Sequence, residues 1–149
     1  MSRGSKAAPG TRAVGVDLGS RRIGIAVSDR TGSLAFPWGV LERAGDPDAE
    51  RRRIAEVVAE LEATTVVVGL PLSLDGHAGA AARAAGEEAD RLAVELAGAG
   101  VTVETFDERL TTVSARTALA AGGTRGRAAR RRIDSAAATV LLQAWLDAR

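Results

Sequence analysis

The chain has 149 residues, 46% of them hydrophobic, and a formal net charge of +1, which fits one domain with its own core and excludes a globally cationic protein. It contains no cysteine and one histidine, which excludes disulfides, thiolate metal sites and cysteine nucleophiles and argues against a Ser-His-Asp triad or a multi-histidine zinc site. No apolar run approaches the roughly 20 residues needed to span a bilayer. Residues 1–11 carry basic side chains without an apolar segment, so we expect a flexible tail, no signal peptide and a cytoplasmic protein without membrane partners.

Three strands are predicted first, over about residues 12–18, 22–29 and 34–42, with glycine-containing turns between them. Such short connections favour an antiparallel meander. Asp46-Pro47-Asp48 then opens a helix, because proline suits the first helical turn and acids suit its positive end. The spacing of apolar residues extends this helix to about Thr64.

The second half of the chain alternates helices and strands. A continuous apolar run over 65–72 predicts a strand buried on both faces. An alanine-rich helix is expected over about 78–97 and a fifth strand over 101–106. Two further helices are predicted, one from Thr111 or Thr112 to about Ala121 and one that begins at Asp134.

The element order therefore predicts an α/β fold with a mixed five-stranded sheet flanked by helices, in which the first three strands are antiparallel. There is no internal repeat and no linker. We expect a single domain over residues 12–149.

Acidic residues interrupt or end the predicted core elements. Asp17 lies within the first apolar strand, where a carboxylate is destabilising unless its charge is compensated. Asp107 and Glu108 end the fifth strand, and Asp134 begins the last helix. If the first strand is central, these acids could meet at one end of the sheet, where the strands finish. Each also has a simpler interpretation, as a turn cap, as a helix N-cap or as an ion-pair partner of Arg109.

Carboxylates held close together repel one another unless a cation lies between them. Hard oxygen ligands without histidine or cysteine are typical of magnesium or manganese sites. Two such ions could clamp the attacking and leaving oxygens of a phosphodiester. The acidic residues therefore suggest a metal-dependent phosphodiesterase.

Arginines are the candidates for phosphate contacts, because a guanidinium binds phosphate bidentately. Arg21 and Arg22 lie in the turn beside Asp17, and Arg109 either contacts phosphate or pairs with an acid. Arg51-Arg52-Arg53 is interpreted as the outer face of a helix. A glycine- and arginine-rich segment before the last helix predicts a mobile phosphate-binding loop, with a solvated basic loop as the alternative; its arginines are Arg125, Arg127, Arg130, Arg131 and Arg132.

The histidine and the aromatic residues give weaker evidence of a functional role than the acids and arginines do. His77 follows a turn and is interpreted as a solvated loop histidine. Only four aromatic residues occur, namely Phe36, Trp38, Phe106 and Trp145. The lack of a stacking platform argues against sequence-specific reading of single strands and favours recognition by shape and phosphate.

Four segments stand in order along residues 12–147: VDLGSRRIGIAVSD from Val16, VGLPLSLDG from Val68, DERLTT from Asp107 and IDSAAA from Ile133. Together they resemble the motifs of the YqgF/RuvX family. The resemblance implies a ribonuclease H-like fold. It also implies that three residues bind divalent metal and carry catalysis, namely Asp17, Glu108 and Asp134, with Asp107 as a possible further ligand.

That family is described both as a pre-16S rRNA nuclease, acting at the 5′ end of the small-subunit precursor, and as Holliday-junction resolvase-like. We therefore expect a metal-dependent nuclease of rRNA processing. The alternatives are a resolvase of branched DNA, which would need a homodimer, and a non-catalytic RNA-binding assembly factor. An actin-like phosphotransferase also opens with Asp-x-Gly, but such enzymes usually need two related domains.

Overall fold

The computed structural model describes residues 11–72, 78–110 and 126–149, and of residues 110 and 126–134 it describes the backbone alone. Residues 1–10 of the N-terminal tail, His77, Arg125 and the helix predicted over 111–121 lie outside these ranges. In the ranges described, no helix is both long and apolar enough to cross a membrane.

The fold is built on a five-stranded sheet with the strand order β3-β2-β1-β4-β5. The strands are β1 (Arg12–Leu18), β2 (Arg22–Ser28), β3 (Ala35–Glu42), β4 (Ala63–Leu70) and β5 (Thr102–Asp107). β2 pairs antiparallel with both β1 and β3, whereas β4 pairs parallel with both β1 and β5. The predicted mixed sheet with an antiparallel first half is confirmed, and β1 is its central strand.

In the described ranges three helices flank the sheet: α1 (Pro47–Glu60), α2 (Ala80–Ala97) and α3 (Gly126–Asp147). The Asp46 carboxylate caps α1 by accepting a hydrogen bond of 3.2 Å from the Ala49 amide. The helix ends earlier than Thr64, because Glu62 adopts a left-handed conformation (φ 55°) that turns the chain directly into β4.

The start of the last helix also corrects a prediction. α3 begins at Gly126, so the segment expected to be a mobile loop is helical over most of its length, and Asp134 lies inside the helix instead of capping it. Alanine and arginine are strong helix formers, and this segment is rich in both. Arg127, Arg130, Arg131 and Arg132 are therefore helical residues.

Alternate residues of β1 face opposite helical layers. Val14 and Val16 belong to the core formed with α1 and α2. Gly15 faces α3, where a Cβ on this residue would lie 2.9 Å from Leu142 Cβ, so the glycine permits close packing of the helix. Because side chains alternate along a strand, Asp17 faces the α3 side of the sheet.

Candidate active site

Asp17 lies near the carboxyl end of β1, next to an open cleft. The cleft has a volume of about 300 Å³ and is lined by Asp17, Gly19, Ser20, Arg21, Arg22 and Gly24. Gly24 is the antiparallel partner of Asp17 on β2. A carboxylate and two arginines thus share one concave surface.

Glu108 begins a short 3-10 turn, Glu108–Leu110, directly after β5. Its side chain reaches across β4, since a Cβ built on Gly69 would lie 2.6 Å from Glu108 Oε2 and 3.0 Å from its Cγ. Only glycine at this position leaves room for the carboxylate. Sequence reasoning did not single out Gly69 as a site residue, and its one signal was a glycine inside an apolar strand.

Strand register brings Glu108 towards Asp17. Val16 pairs with Val68 in the parallel β1–β4 ladder, so Asp17 and Gly69 are the next residues on adjacent strands. Both face α3, because Val16 and Val68 share the opposite core. The structure therefore brings these two predicted acids to the same face of the sheet, at the carboxyl ends of its parallel strands.

Helix α3 packs on this face of the sheet. Its earlier turns lie towards the end of the sheet where β1 finishes, near Asp17. Gln143 Oε1 accepts the Ala35 amide at 2.9 Å, at the end of the sheet where β1 begins. Ala138, one turn earlier, lies over Gly15, with its carbonyl oxygen 3.1 Å from the position of a Cβ there. Asp134 lies one helical turn before Ala138 on α3. The Asp134 side chain lies outside the described part of the structure.

The donor set fits a hard divalent cation, because Asp17 and Glu108 supply carboxylate oxygens on one face of the sheet and the absence of a side chain at Gly69 makes room for the Glu108 carboxylate. Asp17 and Glu108 could hold such an ion, and the resemblance predicts Asp134 as the third ligand. Among the side chains that the structure describes, which do not include Asp134, no group of three or more potential metal ligands is formed. The three-carboxylate site therefore stays a prediction.

Asp107 is engaged elsewhere. Arg109 donates to both of its oxygens, from Nε at 3.0 and 2.9 Å and from Nη2 at 2.5 Å, and the Arg109 amide donates at 2.9 Å. These hydrogen bonds from Arg109 lower the pKa of the Asp107 carboxyl. The sequence left open whether Arg109 binds phosphate or pairs with an acid, and the structure pairs it with Asp107.

The two arginines beside Asp17 differ in their partners. Arg22 Nε forms an ion pair of 3.0 Å with Glu42 Oε2 on β3. Arg21 is exposed, and within the described ranges its guanidinium has no ion-pair partner. Arg21 is thus the better candidate for contact with a phosphate.

A mixed β3-β2-β1-β4-β5 sheet with a helix above the ends of β1 and β5 is the ribonuclease H-like fold. Solved structures with a similar fold include Thermus thermophilus RuvC, with a TM-score of 0.60 and 15% identity over 93% of this chain and 96% of that chain. Another is the yeast mitochondrial Holliday junction resolvase Ydc2, with a TM-score of 0.57 and 12% identity over 96% of this chain and 80% of that chain. At these identities the likeness concerns the fold.

Residues 11–148 match the sequence model of the family described as "RuvX: Holliday junction resolvase", and the chain belongs to this family. Curated relatives from Mycobacterium sp. (strain KMS) and Nocardia farcinica are 46% and 48% identical, each over 93% of this chain, and this covers 80% and 78% of their lengths. A relative from Leifsonia xyli subsp. xyli is 45% identical over 91% of this chain and 84% of its own length. Each bears the name "Putative pre-16S rRNA nuclease".

Proposed function

We propose that this protein is a metal-dependent nuclease that hydrolyses phosphodiester bonds in structured nucleic acid, and that its substrate is the 5′ end of the pre-16S rRNA. The observation that carries the proposal is the placement of the Glu108 carboxylate over Gly69, on the strand next to Asp17. Family membership and the names of the relatives support the same activity. We further propose that the protein acts in the cytoplasm as a single domain over residues 12–149.

In this proposal Asp17, Glu108 and Asp134 hold Mg²⁺ or Mn²⁺, in a site for two ions. When bound, such ions lower the pKa of water and neutralise charge that develops on the leaving oxygen. Arg109 holds the Asp107 carboxylate away from that role through their bidentate ion pair.

Arginines of this chain would position the nucleic acid. The Arg21 guanidinium contacts a backbone phosphate beside Asp17, while Glu42 restrains Arg22 at the border of the same cleft. A second row of phosphate contacts would come from the arginines at the start of α3, namely Arg127, Arg130, Arg131 and Arg132, together with the preceding Arg125. Contacts of this kind read the shape of the phosphate backbone and not its base sequence.

A second candidate is a Holliday-junction resolvase, which the family description favours. A resolvase must cut two strands symmetrically and would therefore act as a homodimer. A non-catalytic RNA-binding assembly factor is the third candidate, and the retention of Asp17, Glu108 and Asp134 argues against it.

One experiment separates these functions. Purified protein is incubated with a pre-16S rRNA fragment and with a four-way DNA junction, each with Mg²⁺ or Mn²⁺, beside an Asp17→Asn control. We expect metal-dependent cleavage of the RNA, which the variant lacks. Cleavage of the junction alone would establish the resolvase. Tight RNA binding without cleavage of either substrate would establish the assembly factor.

A further inference from the structure

The turn that joins β1 to β2 is held by Arg43, a residue at the end of the next hairpin. Arg43 Nη1 donates a hydrogen bond of 2.7 Å to the Gly19 carbonyl. The Arg43 backbone amide donates to the Arg21 carbonyl at 2.9 Å. One residue therefore binds the turn at two points, on either side of Ser20.

Glu50 of α1 in turn fixes the Arg43 guanidinium. Its Oε1 accepts from Arg43 Nη2 at 3.1 Å and from Nε at 3.3 Å, while its Oε2 accepts from the Ala44 amide at 3.1 Å. The Glu50 side chain is only 10% exposed, so water screens this ion pair weakly. The turn is thereby tied to a helix of the core.

The turn itself is compact. The Gly19 amide donates to the Arg22 carbonyl at 3.0 Å, and a Cβ on Gly19 would lie 2.7 Å from that same oxygen. Any other residue at position 19 would push the two ends of the turn apart. The tight closure determines where the backbone of Ser20 and Arg21 lies.

Packing gives the turn little support. Gly19 and Ser20 line the cleft beside Asp17 on one side and, on the other, a second open groove of about 380 Å³ between the turn and α2. With open space on both sides, the hydrogen bonds from Arg43 supply the restraint that packed side chains supply elsewhere.

We propose that Arg43 and Glu50 are a positioning pair that fixes the Gly19–Arg22 turn, so that Arg21 meets a nucleic-acid phosphate beside Asp17. The inference rests on the proposed nuclease function and extends it, because it assigns a role in substrate binding to two residues outside the cleft's acidic site. Arg43 acts through Arg21. Its own guanidinium is occupied by Glu50 and the Gly19 carbonyl.

A double-mutant cycle tests this relation. The dissociation constant of a fluorescent pre-16S rRNA fragment is measured without divalent metal, over a range of salt, for Arg43→Gln, Arg21→Ala and the double variant. We expect Arg43→Gln and Arg21→Ala each to weaken binding about tenfold, the loss of one charge-assisted hydrogen bond. In each variant the plot of the logarithm of the association constant against the logarithm of the salt concentration should be less steep by about one. In the Arg21→Ala background, Arg43→Gln should add almost nothing.

Arg43→Lys keeps a charged donor of similar length for Glu50 and the Gly19 carbonyl, whereas glutamine is shorter and uncharged, so Arg43→Lys should retain part of the affinity that Arg43→Gln loses. Arg53→Gln is the matched control, since Arg53 lies on the same helix as Glu50, is 47% exposed and pairs only with Glu56 among the described ion pairs. It should bind RNA like the wild type. Equal losses of affinity from Arg43→Gln with and without Arg21 would overturn the inference, as would wild-type protein that does not bind the RNA.

Amide hydrogen exchange of the free protein provides a readout that needs no substrate. Arg43→Gln should speed exchange of the Gly19 amide, and Arg53→Gln should not. Unchanged exchange in Arg43→Gln would overturn the positioning role whatever the enzyme does. A wild-type protein that binds RNA and follows the cycle, yet cleaves nothing with Mg²⁺ or Mn²⁺, would refute the nuclease and leave the positioning pair in place.

Discussion

The carboxylate of Glu108 lies over Gly69, so close that a Cβ on Gly69 would stand 2.6 Å from Glu108 Oε2. Glu108 directly follows β5, and β4 lies between β5 and β1 in the sheet. A missing side chain in β4 thus opens the path along which a carboxylate from β5 approaches Asp17. The relationship makes Gly69 part of the site although it carries no functional group.

Gly69→Ala should damage the site more than the fold. The added methyl group meets a flexible side chain, so we expect a loss of about 1 kcal/mol in the free energy of unfolding, the low end of the range for overpacking. Glu108 must move to avoid the new Cβ, and a displacement of about 1 Å in a site can reduce a catalytic rate by about 100-fold. Cleavage rates and urea unfolding measure the two effects. Gly86→Ala in α2 is the control, because nothing lies within 4 Å of its Cβ. An unchanged rate in Gly69→Ala would contradict the role of Glu108.

Asp17→Asn should abolish metal-dependent cleavage and leave RNA affinity nearly unchanged. The amide keeps the shape of the side chain but loses the negative charge that a cation needs. Asp90→Asn, at an exposed position of α2, is the matched control and should cleave normally. Undiminished cleavage by purified Asp17→Asn would remove Asp17 from the site.

Asp107 and Glu108 should differ sharply in metal binding. Glu108→Gln should eliminate the heat of Mn²⁺ binding in a calorimetric titration, because the carboxylate over Gly69 is lost. Asp107→Asn should keep most of it, since Asp107 already accepts both donors of Arg109. Equal losses in the two variants would show that Asp107 is a ligand.

Arg51→Ala should be strongly destabilising. Arg51 is 8% exposed and donates to Glu88 at 2.6 and 3.0 Å, and these hydrogen bonds raise the pKa of its guanidinium. Its removal leaves the Glu88 carboxylate part-buried without its partner, at a cost of about 3 kcal/mol. Arg53→Ala should cost less than about 1 kcal/mol, as expected for an exposed pair. Urea unfolding distinguishes the two, and similar values would argue against a structural role for Arg51.

Asp29 should contribute stability that depends on pH. The Thr31 hydroxyl and the Ser33 amide donate to its oxygens at 2.8 and 2.9 Å and lower the pKa of its carboxyl. This contribution is therefore fully present above the unfolded value of about 3.9 and is lost as the pH falls through the folded value. Asp29→Asn should be less stable than the wild type at pH 7, and the difference should shrink below about pH 4. A difference that is constant between pH 7 and pH 3 would contradict this.

Sequence patterns predicted the sheet well because strands and turns are local. Alternating or continuous apolar runs marked five strands within a few residues of their observed bounds, and short turns favoured the antiparallel arrangement that the first three adopt. Errors arose where local signals competed. Asp134 is a good N-cap residue, yet α3 begins at Gly126, since alanine and arginine propagate a helix through the preceding segment.

The burial of Arg51 could not be predicted from local sequence patterns either. Three consecutive arginines are typical of an exposed helix face, but Arg51 is buried because Glu88, 37 residues later, neutralises it. Charge compensation from a distant element leaves no periodicity in the sequence. Arg109 has an acid at each of the two preceding positions, so the sequence alone could not decide between Asp107 and Glu108 as its partner.

By itself, the sequence determined the fold class and the family resemblance, because motif order and hydrophobic periodicity are properties of the chain, and it predicted the acids of a metal-dependent site. Only the tertiary structure decided that Glu108 lies over Gly69, that Arg109 pairs with Asp107, and that Arg43 holds the turn beside Asp17. The Glu108–Gly69 and Arg43–Gly19 contacts join residues that are distant in sequence, and they exist only after the chain has folded. Asp107 and Arg109 are two residues apart, and their ion pair depends on the turn that follows β5.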